Sequence, residues 1–133
     1  MPHRISDLTW PLLIIGVVFF VSGESEIAAP HVGITLDKVG HFAVFGALAT
    51  SIVRLPRFRA RGWGGACAAA LIAMGYGALD EYRQSFTPGR SVEFADWIAD
   101  ALGAATGVLL YQSWPWYRRM LEWRIGPSRT SGT

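Results

Sequence analysis

The sequence predicts an all-α fold: a polytopic membrane protein, built as a bundle of four transmembrane helices with both termini cytoplasmic. Three observations carry that expectation. Of the 133 residues, 51% are hydrophobic and only 17% charged, whereas soluble domains run about 25% charged, and the mean hydropathy is +0.28. Apolar stretches occur four times, separated by polar residues. Basic residues gather at alternate boundaries and acidic ones at the others, the pattern expected when loops alternate across a membrane. The length supports one domain, taken as residues 1–133. Six Trp and fifteen Gly fit the same class, because Trp sits at membrane interfaces and Gly lets helices approach. A soluble four-helix protein is the runner-up.

The first helix is expected at about residues 8–23. Its apolar run, Trp10–Val21, is short for a span, which needs about 20 residues, but counting from Ile5 to Gly23 supplies the length. The rival reading is a signal peptide, with a basic start, a short apolar run and small residues such as Ala28-Ala29. The three apolar segments that follow favour a retained helix. Ser22–Leu36 reads as a loop. A second helix is expected at about 39–55, opened by Asp37 and Lys38 and ended by Pro56, and a third, rich in Ala and Gly, at about 62–84. The fourth is expected at about 94–112, followed by a cytoplasmic tail, 113–133. In that tail Trp114-Pro115-Trp116-Tyr117 reads as an interfacial belt, and Ser128–Thr133 as a disordered end. The single cysteine, Cys67, excludes an intrachain disulfide and reads as a small packing residue.

Charge sets the expected orientation. Arg4, the cluster Arg54, Arg57, Arg59 and Arg61, and Arg118, Arg119, Arg124 and Arg129 share one side with only Asp7 and Glu122. The other side has Lys38, Arg83 and Arg90 against Glu24, Glu26, Asp37, Asp80, Glu81, Glu93, Asp96 and Asp100. The positive-inside rule puts the first set in the cytoplasm. The arginines of 54–61 are assigned topology and contact with anionic lipid heads, and no chemistry. They are not interleaved with a stacking platform, so nothing points to nucleic acid.

The chemistry-bearing residues thus fall on the extracytoplasmic side. Asp37 and His41 are i, i+4 and share a helix face. Glu81 and Gln84 are i, i+3 at the end of the third helix. Asp96, Asp100, Gly103 and Gly107 form one stripe on the fourth. Gly103-x-x-x-Gly107 allows close helix contact, so the stripe faces the bundle. Asp100 lies a turn deeper than Asp96. An unpaired Asp at membrane depth costs about 2.5–3.5 kcal/mol, so it needs a partner among Arg90, Lys38 and His41. Pro88-Gly89 suits the centre of a type II turn, which would fold Arg90 back as a clamp for a carboxylate or phosphate. Each residue has a plainer role open to it. His41 could simply hydrogen-bond Asp37, Asp37 could cap its helix, Glu81 and Gln84 could be solvated, and Arg90 could clasp Asp96 or Glu81. Arg83 and Glu93 read as solvated, and Phe42, Phe45 and Leu48 as packing or lipid-facing.

Asp37-Lys38-Val39-Gly40-His41-Phe42, then Asp80-Glu81-x-x-Gln84-x-Phe86-x-Pro88-Gly89-Arg90, then Asp96-x-x-x-Asp100-x-x-Gly103, taken together, resemble the VanZ-like family over roughly residues 8–112. The resemblance implies a small four-helix membrane protein. It also implies a ligand-binding set at Asp37, Lys38, His41, Glu81, Gln84, Arg90, Asp96 and Asp100. The last is a departure, since family members commonly carry Asn there. If Asn donates an amide hydrogen bond, Asp100 must be protonated or paired with a cation to fill the role. The family's namesake is associated with teicoplanin resistance, so a part in glycopeptide antibiotic resistance is an expectation.

Three function classes follow. The leading one is a non-catalytic envelope protein whose outer groove binds a lipid-linked cell-wall component or keeps a glycopeptide from its target. The alternative is a membrane-embedded enzyme acting on an outer-leaflet lipid phosphate or headgroup. Its catalytic candidates are His41 as general acid or base and Glu81 or Asp96 as partner carboxylate, with Arg90 as phosphate clamp. A metal-assisted version would use His41, Glu81 and Asp96, but a single plausible His weakens it, and no metal or cofactor is assigned. The third is a transporter or proton relay through Asp96 and Asp100, which would need oligomerisation. Expected partners are membrane lipids and a lipid-linked precursor or glycopeptide, with a homo-oligomer open. The expected location is the bacterial plasma membrane.

Overall fold

The computed structural model describes residues 5–23, 34–88 and 94–122. The described residues are helical apart from short connections, with no strand among them. The helices are α1 (Ile5–Gly23), α2 (Ile34–Val53), α3 (Pro56–Arg59), α4 (Trp63–Gln84), α5 (Phe94–Ser113) and α6 (Pro115–Glu122). The four long ones stand where the apolar segments lie; the short α3 and α6 correct the expectation of four helices alone. Pro56 not only follows α2 but opens α3, where a missing N–H removes no helical bond. Pro115 opens α6 in the same way. α2 starts at Ile34, five residues before the expected Val39. Asp37 therefore lies inside the helix, not at its cap.

Glycine decides how the long helices meet. α5 packs along most of α2 and against α4, while α1 leans on α2 and α4 from the edge. Where α2 crosses α5, a Cβ on Gly103 would overlap the Phe42 carbonyl. A Cβ on Gly107 would come 2.5 Å from the Gly46 carbonyl oxygen, and one on Gly46 would come 3.1 Å from that of Gly103. The two backbones touch directly, as small residues permit. On α4, Ala66, Ala69, Ala70 and Ala73 do the same service with one carbon each. Phe45, Leu48, Val53 and Tyr111 are the large side chains wholly inside. Cys67 is exposed, so it is not the packing residue its Ala-rich context suggested.

At one end, α3 and α6 are tied to the long helices. Gly62 adopts φ +55°, a left-handed turn that glycine takes without strain, and it brings α3 onto the start of α4. There a Cβ on Gly65 would overlap the Phe58 carbonyl. Arg54 Nη2 donates to the Leu121 carbonyl at 2.5 Å, Arg59 Nη1 reaches Glu122 at 3.4 Å, and the buried Tyr111 hydroxyl donates to Glu122. Arg54 and Arg59 thus do more than set topology, and the expected tail is a folded helix as far as Glu122.

The distribution of polarity is inverted relative to a water-soluble bundle. Asp80, Glu81, Gln84, Asp96 and Asp100 are buried. Phe20, Val21, Val39, Leu71, Leu79, Leu102 and Leu109 face outward. Among the described residues, however, no helix is long and apolar enough to cross a membrane. For α4 and α5 the reason is visible: alanine and glycine contribute little hydropathy, and the buried acids subtract from it.

Candidate functional site

Three helix ends converge on one polar cluster: the first half of α2, the last turns of α4 and the first turns of α5. On α2, Lys38 and His41 are i, i+3. On α5, Asp96 and Asp100 are i, i+4, so each faces one of the α2 residues. Lys38 Nζ lies 2.9 Å from Asp96 Oδ1, and His41 Nδ1 lies 2.8 Å from Asp100 Oδ1. These crossed pairs follow from the close α2–α5 approach that the glycines allow. Asp100, 1% exposed, is the deepest acid. Its Oδ2 sits over Gly77 of α4, where an added Cβ would come within 2.9 Å. Asp100 thereby finds its partner in His41, one of the three available bases.

The α4 wall is arranged differently from its sequence pattern. Glu81 and Gln84 do not act as a pair. Gln84 Nε2 donates to Asp80 Oδ2 at 3.0 Å, and Arg83 Nη2 donates to Asp80 Oδ1 at 3.2 Å. Arg83, expected to be solvated, also donates to the Phe19 carbonyl at 2.7 Å and lies 4.0 Å from the centre of the Phe19 ring, which ties α1 to α4. Asp80 and Arg83 were not among the expected site residues. Their signal was present in the i, i+3 and i, i+4 spacings of Asp80, Arg83 and Gln84.

Glu81 is left over. It is 6% exposed, and neither carboxylate oxygen has a hydrogen-bond partner among the described residues. Asp96, Asp100, Asp80 and the His41 imidazole all act on it electrostatically. Asp96, Asp100 and Asp80 each have a basic neighbour, in Lys38, His41 and Arg83. Glu81 has none. Buried polar groups in folded proteins are nearly always satisfied, so this carboxylate marks a place for a donor beyond the described residues.

Beneath the cluster lies an aromatic layer that closes it from the core. His41 stacks on Phe45 with ring centres 6.5 Å apart, and Phe45 on Tyr76 at 6.2 Å. Tyr76 donates to the Ile15 carbonyl and Trp97 to the Met74 carbonyl, fixing α4 against α1 and α5. Phe45 and Leu48 are therefore packing residues, while Phe42 faces outward.

Arg90, Glu24, Glu26 and Glu93 lie outside the described residues, as does the side chain of Asp37. The proposed Arg90 clamp and the Asp37–His41 pair fall there. Among the described residues no three His, Cys, Asp or Glu side chains converge as metal ligands, so the set His41, Glu81 and Asp96 does not form a metal centre. Residues 4–115 match a family model described as VanZ/LLP1. No curated protein and no solved structure matches the chain.

Proposed function

Because the chain belongs to the VanZ/LLP1 family, we propose that it is an integral membrane protein of the cell envelope whose three-helix polar site holds the headgroup of a lipid-linked cell-wall component. The observation that carries this reading is the Glu81 carboxylate, buried with both oxygens unbonded among the described residues. Such a group is costly unless a donor reaches it. A sugar–peptide headgroup is rich in O–H and N–H donors. A phosphate would instead meet four carboxylates, Asp80, Glu81, Asp96 and Asp100, against Lys38, His41 and Arg83. Holding the precursor at the membrane surface would keep a glycopeptide of the teicoplanin type from it.

The inverted polarity of the bundle supports the bilayer as solvent, because contiguous apolar faces of this extent are rare on monomeric soluble domains. With Arg54, just past α2, and the arginines of α3 and α6 in the cytoplasm, the polar cluster falls at the outer face. In a Cys67→Ser background, Ser85→Cys is expected to react with an impermeant thiol reagent from outside intact cells, and Ser113→Cys only after lysis; both serines are exposed. The reverse pattern, or equal labelling, would remove the topology.

The ligand is tested by native mass spectrometry of the purified chain. Glu81→Gln keeps the size of the side chain but loses a charge-assisted acceptor, an interaction of about 1.5–3 kcal/mol. Co-purified lipid-linked precursor is expected to fall about tenfold or more, with protein level unchanged. Full retention by both Glu81→Gln and His41→Ala sinks the reading, as does a fall in abundance alone. The His41–Asp100 pair, an imidazole oriented by a carboxylate, favours a second reading as acid–base catalyst on a lipid headgroup. In that case His41→Ala abolishes turnover while the lipid stays bound.

A further inference from the structure

A second site lies at the opposite end of the bundle. α1, α2 and α6 enclose a cleft of about 440 Å³, within the 300–1,000 Å³ range of small-molecule sites. Its walls are apolar: Leu13 and Val17 of α1, Val44 and Ala47 of α2, and Tyr117 and Leu121 of α6. It runs along α1 from Trp10 to Val17, about 10 Å at 1.5 Å per residue. That is room for part of one hydrocarbon chain and not for two. Arg54 is also in its lining, where its one hydrogen bond, to the Leu121 carbonyl, leaves Nε and Nη1 without a partner among the described residues.

We infer that this cleft seats one acyl chain of an anionic phospholipid of the cytoplasmic leaflet, with the lipid phosphate on Arg54. The inference rests on the membrane reading above and not on the ligand proposed for the polar site. Charge complementarity selects the occupant. The exposed Arg57, Arg61 and Arg119 lie toward the same end of the bundle and outnumber its acids, Asp7 of α1 and Glu122, the latter already bonded to Tyr111 and Arg59. Basic pockets between membrane helices on the cytoplasmic side suit anionic heads, and a guanidinium takes phosphate in bidentate fashion. Trp114 and Trp116, exposed on and beside α6, place that helix at headgroup level.

The test uses the full chain in nanodiscs of equimolar phosphatidylglycerol and phosphatidylethanolamine, read by native mass spectrometry after release. The wild type is expected to keep one phospholipid, with phosphatidylglycerol favoured about tenfold. Ala47→Phe fills the cleft from an exposed position on α2, without entering the core, and should lose that lipid about tenfold. Arg54→Gln should keep a lipid but lose the preference. Glu122→Gln loosens α6 while leaving the arginine, and should keep both. Undiminished lipid in Ala47→Phe overturns the inference, as does a wild type with no headgroup preference. A change of oligomeric state on Ala47→Phe would make the cleft a protein interface and equally overturn it. Glu81→Gln should leave this phospholipid in place, so loss of precursor binding and loss of the cleft lipid are read separately.

Discussion

Gly103→Ala is expected to unfold or disassemble the bundle, although it adds a single methyl group. The new Cβ would overlap the carbonyl of Phe42, which is backbone and cannot rotate aside. α2 and α5 must then move apart, and with them the Lys38–Asp96 and His41–Asp100 pairs. Overpacking a close contact costs about 1–3 kcal/mol, and an obstacle made of backbone puts this substitution at the upper end, about 3 kcal/mol. The matching control is Gly75→Ala. Gly75 is also helical, but a Cβ there meets nothing within 4 Å. Alanine is the better helix former by about 0.5–1 kcal/mol, so this variant should hold or slightly gain stability. Thermal unfolding in detergent, followed by helical circular dichroism, reads both. Equal midpoints for the two variants would mean that the glycine crossing does not hold the bundle together.

The second large effect is expected at Asp100. Replacing it by alanine leaves His41 facing a buried void in place of a carboxylate 2.8 Å away. Removing one member of a buried pair costs about 3–5 kcal/mol, because the other is left uncompensated. The imidazole can shed its proton, which places Asp100→Ala near the lower figure. Asp100→Asn should behave very differently. Its amide oxygen can accept from His41 in the same place, and a buried charge disappears. The same melt should show a change of no more than about 1 kcal/mol. Either side chain offers His41 an acceptor. Were Asn as damaging as Ala, the negative charge itself, and not the acceptor, would be what His41 requires.

Much of this could be read from the chain alone, because helices write their own periodicity. The first helix was expected at about residues 8–23, and α1 covers that stretch, beginning three residues earlier at Ile5. The stripe Asp96, Asp100, Gly103, Gly107 was assigned to the inside of the bundle, and all four residues are buried. Other readings failed for one reason. Spacing reports which side chains share a helix, not which one another helix presents. Thus spacing left Asp100 three possible bases, Arg90, Lys38 and His41, while the α2–α5 register sets His41 against it. Glu81 was matched with Gln84, while Gln84 turns to Asp80. Arg83 was read as solvated because nothing in its own helix called for the Phe19 carbonyl. The short α3 and α6 escaped because four and eight residues carry too little periodicity to register.

By itself, then, the sequence determined the helical class of the described residues, the approximate places of the long helices, the end at which acids and bases gather, and the family. Those properties depend on local composition and on residues within a turn of each other. Only the tertiary structure decided that Lys38 faces Asp96, that His41 faces Asp100, and that Glu81 is a buried acid with no hydrogen-bond partner among the described residues. The physical reason lies in the α2–α5 crossing. Three glycines let two backbones touch, and the register at which they do so sets which charges meet across the interface.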